Sequence, residues 1–318
     1  MTETRSGAAA GRPPRIGFFG LLGSGNIGND GSLDVALTEV LARHPDAEIG
    51  FFCAGADVIS ARYGLPAARL NWYRREYETA SGPFGLALKA VGKLIDIVRT
   101  AAWVRRFDVV IVPGMGVLAA DLPVRPWGFP YSMFLLSMTG RLFRTKIAFV
   151  SVGSDAIRQS ATRKLYVTAA KWAAYRSYRD RRSRDALAGM GVDTSRDRVF
   201  PDLVFALPTP DVEPAASTRV VAVGIMDYHG GNDDRERAHR LHADYLDAMK
   251  RLVRWLVVER DFDVRLLTGD HADESVAHDI VRDSLSYTAA ARRPRVSVDP
   301  PQSLSQLMQQ LADRKSVV

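Results

Sequence analysis

The chain has a single cysteine, Cys53, in 318 residues. That excludes an internal disulfide and fits a reducing, cytoplasmic setting. Cys53 closes the apolar run 49–53, which reads as a strand, so it is expected as a buried core thiol. No uncharged apolar run reaches the roughly 20 residues that cross a bilayer. Residues 1–14 are rich in Ala, Gly, Arg and Pro and have no apolar core, so they read as a disordered tail and not as a signal peptide. Finger, RNP and helix-turn-helix patterns are missing, which sets nucleic acid aside. No metal-ligand spacing occurs either, and no metal is assigned.

What is present is ordinary for a globular protein: 47% hydrophobic and 25% charged residues. The length allows two domains. The net charge of +7 suits anionic ligands or an anionic membrane surface.

Residues 15–37 organise the rest. An apolar run, Ile16 to Phe19, reads as a buried first strand. Gly20, Gly23, Gly25, Gly28 and Gly31 follow as a glycine-dense loop that holds Asn26, Asn29 and Asp30. A helix is expected from Ser32 to Leu41, with Leu33, Leu37 and Leu41 on one face. Strand, glycine loop and helix present backbone N–H groups to an anion at the positive end of a helix. The spacing departs from the dinucleotide fingerprint, because no ribose-binding acid closes a second strand. A connection that needs only positive φ is the other reading, but Asn26, Asn29 and Asp30 are more than a turn requires.

Strand and helix patterns then alternate to about Leu207. Residues 71–83 are polar and aromatic and read as a loop or lid near the ligand. Residues 85–107 form a long helix with Lys89, Lys93, Arg99, Arg105 and Arg106. Its apolar positions repeat at core spacing, so a packed helix with a basic solvent face is expected, and a basic helix lying on a membrane is the alternative. The strand 107–112 runs into a second glycine loop with Gly114, Gly116 and Asp121. Ligands in open α/β sheets bind beyond the carboxyl ends of strands, so both loops should face one crevice. Aromatic residues 127–143 read as a core helix, and 146–153 as a strand. Arg179-Asp180-Arg181-Arg182-Ser183 ends a short extended run. Asp180 is placed to cap a helix over 183–190. Arg179 can grip phosphate or carboxylate bidentately, or form a structural pair with Asp180.

Pro208, Pro210 and Pro214 mark a linker at 209–218. A second domain, 219–312, opens with the strand 220–225. His229 at its end is an acid/base candidate, since imidazole titrates near neutrality; a solvated loop histidine is the bland alternative. Asp270 or Asp273 reads as a helix cap beside His271. A short strand at 296–298 and a helix over 303–312 follow. Residues 313–318 read as translated sequencing adapter, so the second domain is expected to be cut short.

Gly23, Asn26 and Gly28 through Leu33, then Gly114 to Asp121, the Arg179-Asp180-Ser183 segment with Leu187, Gly191 and Val192, and Asp202 together resemble the polysaccharide pyruvyl transferase family. The usual acidic pair is Asn29-Asp30 here, and Met115 interrupts the second glycine run. The resemblance implies an α/β fold of two facing Rossmann-like domains in a GT-B-like arrangement. It implies transfer of the pyruvyl group of phosphoenolpyruvate onto a sugar or lipid-linked glycan, with no cofactor. The expected substrate-binding residues are Gly25, Asn26, Gly28, Asn29, Gly114, Gly116, Arg179, Asp180 and Ser183. Asp30 and His229 are the catalytic candidates. A peripheral membrane contact at the inner face is compatible with this role. A GT-B glycosyltransferase using a nucleotide sugar is the runner-up, although no glutamate-rich donor motif is found; a non-catalytic binding protein of an envelope assembly complex is the third reading.

Overall fold

The computed structural model describes residues 12–72, 83–119, 126–211, 219–231, 234, 236–288 and 295–312. Most of the tail, most of the expected lid over 71–83, Asp121, most of the linker and the hexapeptide 313–318 lie outside the described residues.

Seven parallel strands form the first sheet, in the order β3-β2-β1-β4-β5-β6-β7. They are β1 (Arg15–Gly20), β2 (Glu48–Cys53), β3 (Ala67–Arg69), β4 (Val109–Pro113), β5 (Lys146–Val152), β6 (Tyr175–Tyr178) and β7 (Arg198–Val199). The helices between them are α1 (Ile27–Arg43), α2 (Ala56–Tyr63), α3 (Pro83–Val104), α4 (Phe129–Phe143), α5 (Ser160–Trp172) and α6 (Arg181–Gly189). Strand order grows outward from β1 through β2 to β3, then returns to β4 on the other side. Right-handed crossovers therefore put helices on both faces. Adjacent residues of β2 display this: Phe51 stacks on Tyr63 of α2, while Phe52 stacks on Trp103 of α3. Side chains alternate along a strand, so neighbours serve opposite layers. Phe18, Phe51 and Phe149 are fully buried, each contributing about 1.5–3 kcal/mol by leaving water.

The second sheet has order β10-β9-β8, again parallel. Its strands are β8 (Val220–Ile225), β9 (Asp263–Thr268) and β10 (Val296–Val298). It is accompanied by α7 (Ala238–Arg254), which continues into a π-helical turn, then α8 (Asp273–Thr288) and α9 (Leu304–Ala312). Val221, Val223, Leu266 and Ile280 belong to a core separate from that of the first sheet.

Two expectations are corrected. The opening glycine segment is not a loop as far as Gly31. α1 begins at Ile27, with Asn26 as its N-cap and Asp30 in its first turn. Asn29 N–H donates to Asn26 Oδ1 at 3.1 Å, which satisfies a donor that every helix start leaves orphaned.

The second correction concerns α3. Its apolar residues do repeat at helical spacing, but Leu86, Leu94 and Val98 are 71%, 64% and 68% exposed. The charge is turned inward instead. Asp96 is buried, accepts the Trp72 N–H at 2.7 Å and sits 3.3 Å from Arg99. Among the described residues, no helix is long and apolar enough to cross a membrane.

Candidate functional site

The strand order reverses between β1 and β4. In an open parallel sheet this switch point leaves a crevice beyond the carboxyl ends of the two strands. The segments leaving β1 and β4 are the two glycine stretches singled out in the sequence.

After β1 the chain folds back on itself. Asp30 Oδ1 accepts the Gly23 N–H at 2.7 Å, and Asn29 Nδ2 donates to Leu21 O at 3.4 Å. Burial pushes the Asp30 carboxyl above its usual range; the Gly23 N–H and the charges of Arg62 and His271 pull against that. Asp30 thus holds the turn and is a carboxyl inclined to keep its proton. At the start of α1, Ile27 N–H donates to Gly269 O, Asn29 N–H to its cap and Asp30 N–H to Asn26 O. Gly28 N–H has no partner among the described residues. An N–H left free at a helix start is of the kind that binds anions.

After β4, Gly114 and Met115 both adopt left-handed backbone, with φ 51 and 54. Gly114 tolerates this and also makes room for Ser32: a Cβ there would meet Ser32 Oγ at 2.3 Å. Its N–H donates to Val150 O at 2.8 Å, so its place is structural. Met115, which interrupts the glycine run, is buried against Gly20. Gly116 is exposed, and a Cβ there would meet nothing within 4 Å.

β5 is irregular near its end. Ser151 has φ 51, and the register to β6 shifts between Phe149 and Val152. Such a bulge re-aims the chain, and here it delivers Gly153 beneath Arg179. A Cβ on Gly153 would come within 2.8 Å of Arg179 Nε. The guanidinium reaches Asp202 at 3.3 Å and Asp180 at 3.8 Å. Asp180 is the N-cap of α6, accepting the Ser183 N–H at 2.6 Å. Ser183 is itself buried, so its hydroxyl is not presented to the crevice. Asp202 also caps a short 3-10 turn, Leu203–Ala206, whose Leu203 lies near Gly114. The structure therefore brings Ser32, Gly114, Gly153, Arg179 and Asp202 into one continuous patch.

The segment that follows β9 meets the glycine turn before α1. Ile27 N–H to Gly269 O spans 3.0 Å. Gly25, with φ 102, lies against the His271 ring, where a Cβ would come within 2.4 Å of Cδ2. His271 also meets Glu274 at 2.7 Å. Asp273 accepts N–H bonds from Gly269, Asp270 and Asp227 at 2.9–3.2 Å and 2.8 Å, binding the ends of β8 and β9 together. The expected helix cap is not what Asp273 provides: it is the first residue of α8, and its carboxylate ties the preceding loops instead of the helix's own N–H groups.

His229 stands apart from Asp30. It meets Asp227 at 3.0 Å and stacks on His242 with centroids 4.4 Å apart. The histidine that reaches the opening turn is His271. The sequence reading joined neither His242 nor Asp227 to His229, because α7 brings His242 in from farther along the chain.

The sequence model of the family "Polysaccharide pyruvyl transferase" matches residues 26–318. No curated protein matches the chain. Among solved structures, the fold is similar to an S. aureus MnaA–UDP co-structure, with a TM-score of 0.55 at 11% identity, covering 96% of this chain and 73% of that one. It is also similar to a putative UDP-N-acetylglucosamine 2-epimerase from Listeria monocytogenes, with a TM-score of 0.54 at 12% identity over 93% and 71%. The UDP-GlcNAc 2-epimerase of Methanocaldococcus jannaschii gives 0.50 at 10% identity over 95% and 77%. These likenesses place the fold among GT-B enzymes. With the glycine turn before α1, the Arg179-Asp180-Ser183 segment and a match over nearly the whole length, the chain belongs to the polysaccharide pyruvyl transferase family.

Proposed function

We propose that this chain transfers the pyruvyl unit of phosphoenolpyruvate onto two hydroxyls of a sugar, forming a ketal and releasing phosphate, in the synthesis of an exopolysaccharide or cell-envelope glycan. The observation that carries the reading is that Arg179, held against Gly153 and Asp202, and the glycine turn before α1 both lie beyond the carboxyl ends of strands of the first sheet.

The donor carries a carboxylate and a phosphate, so it needs a cation and fixed N–H donors. Arg179, aimed by Gly153 and Asp202, supplies the cation, and Gly28 supplies a helix-end donor. One sugar hydroxyl adds to C2 of the enol while C3 gains a proton and becomes a methyl. The second hydroxyl then displaces phosphate from C2. Of the two hydroxyl protons released, one balances the new methyl hydrogen and the other leaves with phosphate. Asp30, whose carboxyl keeps its proton more tightly than usual, is the acid/base candidate on the first domain. His271 faces it from the second domain, and His229 is the alternative there.

The acceptor is a sugar, free or lipid-linked. The outward apolar face of α3 supports a station at an anionic membrane surface. Arg105, Arg106, Arg141, Arg144 and Lys146 are all exposed at the joined C-terminal ends of α3 and α4, with exposed Leu142 and Phe143 between them. Apolar side chains flanked by cations fit an interfacial contact.

The test is phosphate release from phosphoenolpyruvate with a broad panel of sugar and lipid-linked acceptors. Acceptor-dependent release, lost in Arg179→Ala, supports the reading. Consumption of a nucleotide sugar instead supports the second reading, a GT-B glycosyltransferase, which the fold of the UDP-sugar enzymes favours. Tight phosphoenolpyruvate binding without release over the whole panel supports a binding protein.

A further inference from the structure

We propose that Asp227, His229 and His242 form a binding site for a divalent transition metal of the zinc class. The inference does not rest on the pyruvyl reading. Asp227 and His229 follow β8 at its carboxyl end, and His242 projects from the early part of α7. Their ligand atoms all lie within 4.8 Å of one another.

The donor set is two imidazole nitrogens and one carboxylate oxygen, which suits zinc and its neighbours and leaves a further position open. His229 Nε2 lies 3.0 Å from Asp227 Oδ1, and His242 Nδ1 lies 3.3 Å from the same oxygen. Metal bonds of roughly 2.0–2.1 Å at tetrahedral angles separate ligand atoms by about 3.3 Å. These distances are already close to that spacing.

Two further observations point to a ligand. His242 Nδ1 is buried and makes no hydrogen bond, because the nearby carboxylate is not aligned with it. A buried ring nitrogen without a partner is a lone pair or proton awaiting one. The ligand loop is also anchored from outside. Asp227 N–H donates to Asp273 Oδ1 at 2.8 Å, and Met226 N–H donates to Tyr245 Oη at 3.1 Å. Tyr245 lies on α7 just beyond His242, so one helix carries a ligand and braces the loop that carries the other two. Such outer contacts fix ligands before the ion arrives.

The imidazole rings are stacked at 7° to one another. In-plane lone pairs of parallel rings do not converge on one point. Ion entry therefore turns at least one ring and breaks the stack.

The experiment uses the full chain, stripped with a chelator and titrated with Zn2+ alone by calorimetry and with Co2+ by visible absorption. The expected result is one equivalent bound, with the strong d–d absorption of low-coordinate Co2+. His229→Ala and His242→Gln each weaken binding at least about tenfold, and His271→Ala leaves it unchanged. Should a variant fail to fold, X-ray absorption of the metal-loaded wild type decides, with two imidazole ligands expected. No uptake by the folded chain overturns the proposal. So does uptake that survives both His229→Ala and His242→Gln, or that disappears in His271→Ala.

Discussion

Gly31 of α1 lies against Leu304 of α9, so that a Cβ on the glycine would meet Leu304 Cδ2 at 2.3 Å. α1 packs on the core of the first sheet, while α9 follows the last strand of the second. Replacing a helical glycine by alanine ordinarily stabilises by about 0.8–1 kcal/mol. Here Gly31→Ala is expected to lower the melting temperature, because Leu304 must leave its seat. Leu304→Ala in the same chain should restore it, with a coupling energy of about 0.5–3 kcal/mol in a double-mutant cycle. Additive effects of the two changes would mean that α1 and α9 do not touch in solution.

Arg179 separates activity from stability. Its pairs with Asp180 and Asp202 are partly exposed, so losing them should cost no more than about 1 kcal/mol. Under the proposed function it is the cation that holds the donor, and its removal should then cost much more in rate. Arg179→Ala is expected to lower kcat/KM for phosphoenolpyruvate by about 10²–10³-fold with nearly unchanged melting. Gly153→Ala should imitate it, because the new methyl occupies the place of the guanidinium. A large drop in melting with little change in rate would return Arg179 to a purely structural role.

Much of the fold was legible because the chain punctuates itself. β8 and β10 cover the same residues that their apolar runs outline, and Asp180 caps α6 as its position before a helical pattern implies. The start of α1 was misplaced because five glycines outweighed the better signal, an Asn cap followed by an acid in the first turn. The outward face of α3 was not legible at all. Periodicity tells which residues share a face, and says nothing of whether anything covers it. The Asp227–His229–His242 cluster and the Gly25–His271 contact depend on how distant elements meet, which spacing along one chain does not encode.

Asp30 gives a pH prediction. Its folded carboxyl titrates above the ordinary carboxylate range, chiefly through burial. The folded chain then binds the proton more tightly than the unfolded chain. Its contribution to stability is fully present below the unfolded value and is lost as pH rises through the raised folded value. Asp30→Asn keeps an oxygen for the Gly23 N–H and removes the titration. The variant should show a flatter decline of stability with pH in that window, while the rate falls by about 10²–10⁴-fold. An unchanged slope would mean that Asp30 is solvated.

Cys53 is a reporter of the first core. It is fully buried, and burial, aided by the charges of Asp30 and Asp57, pushes its thiol up to about 12. Thiolate is the reacting form, so labelling of the native chain by a thiol reagent should be at least about a thousandfold slower than that of a free thiol. Labelling should track global unfolding with denaturant. Fast labelling without denaturant would show that the edge formed by β2 and β3 opens on its own.

The exposed stripe on α3 makes the last prediction. Leu94 and Val98 are largely exposed, so changing both to Gln should leave stability within about 0.5 kcal/mol. If they enter a lipid interface, each contributes about 1.5–3 kcal/mol to binding, and the double variant should bind vesicles more than about 100-fold more weakly. Wild type should float with vesicles rich in anionic lipid and less with neutral ones, and salt should weaken the difference by screening the cations around Leu142. Flotation that ignores lipid charge would contradict a role for Arg105 and Arg141. A wild-type dimer that the double variant turns into a monomer, with no vesicle binding by either, would show that the stripe belongs to a second copy of the chain.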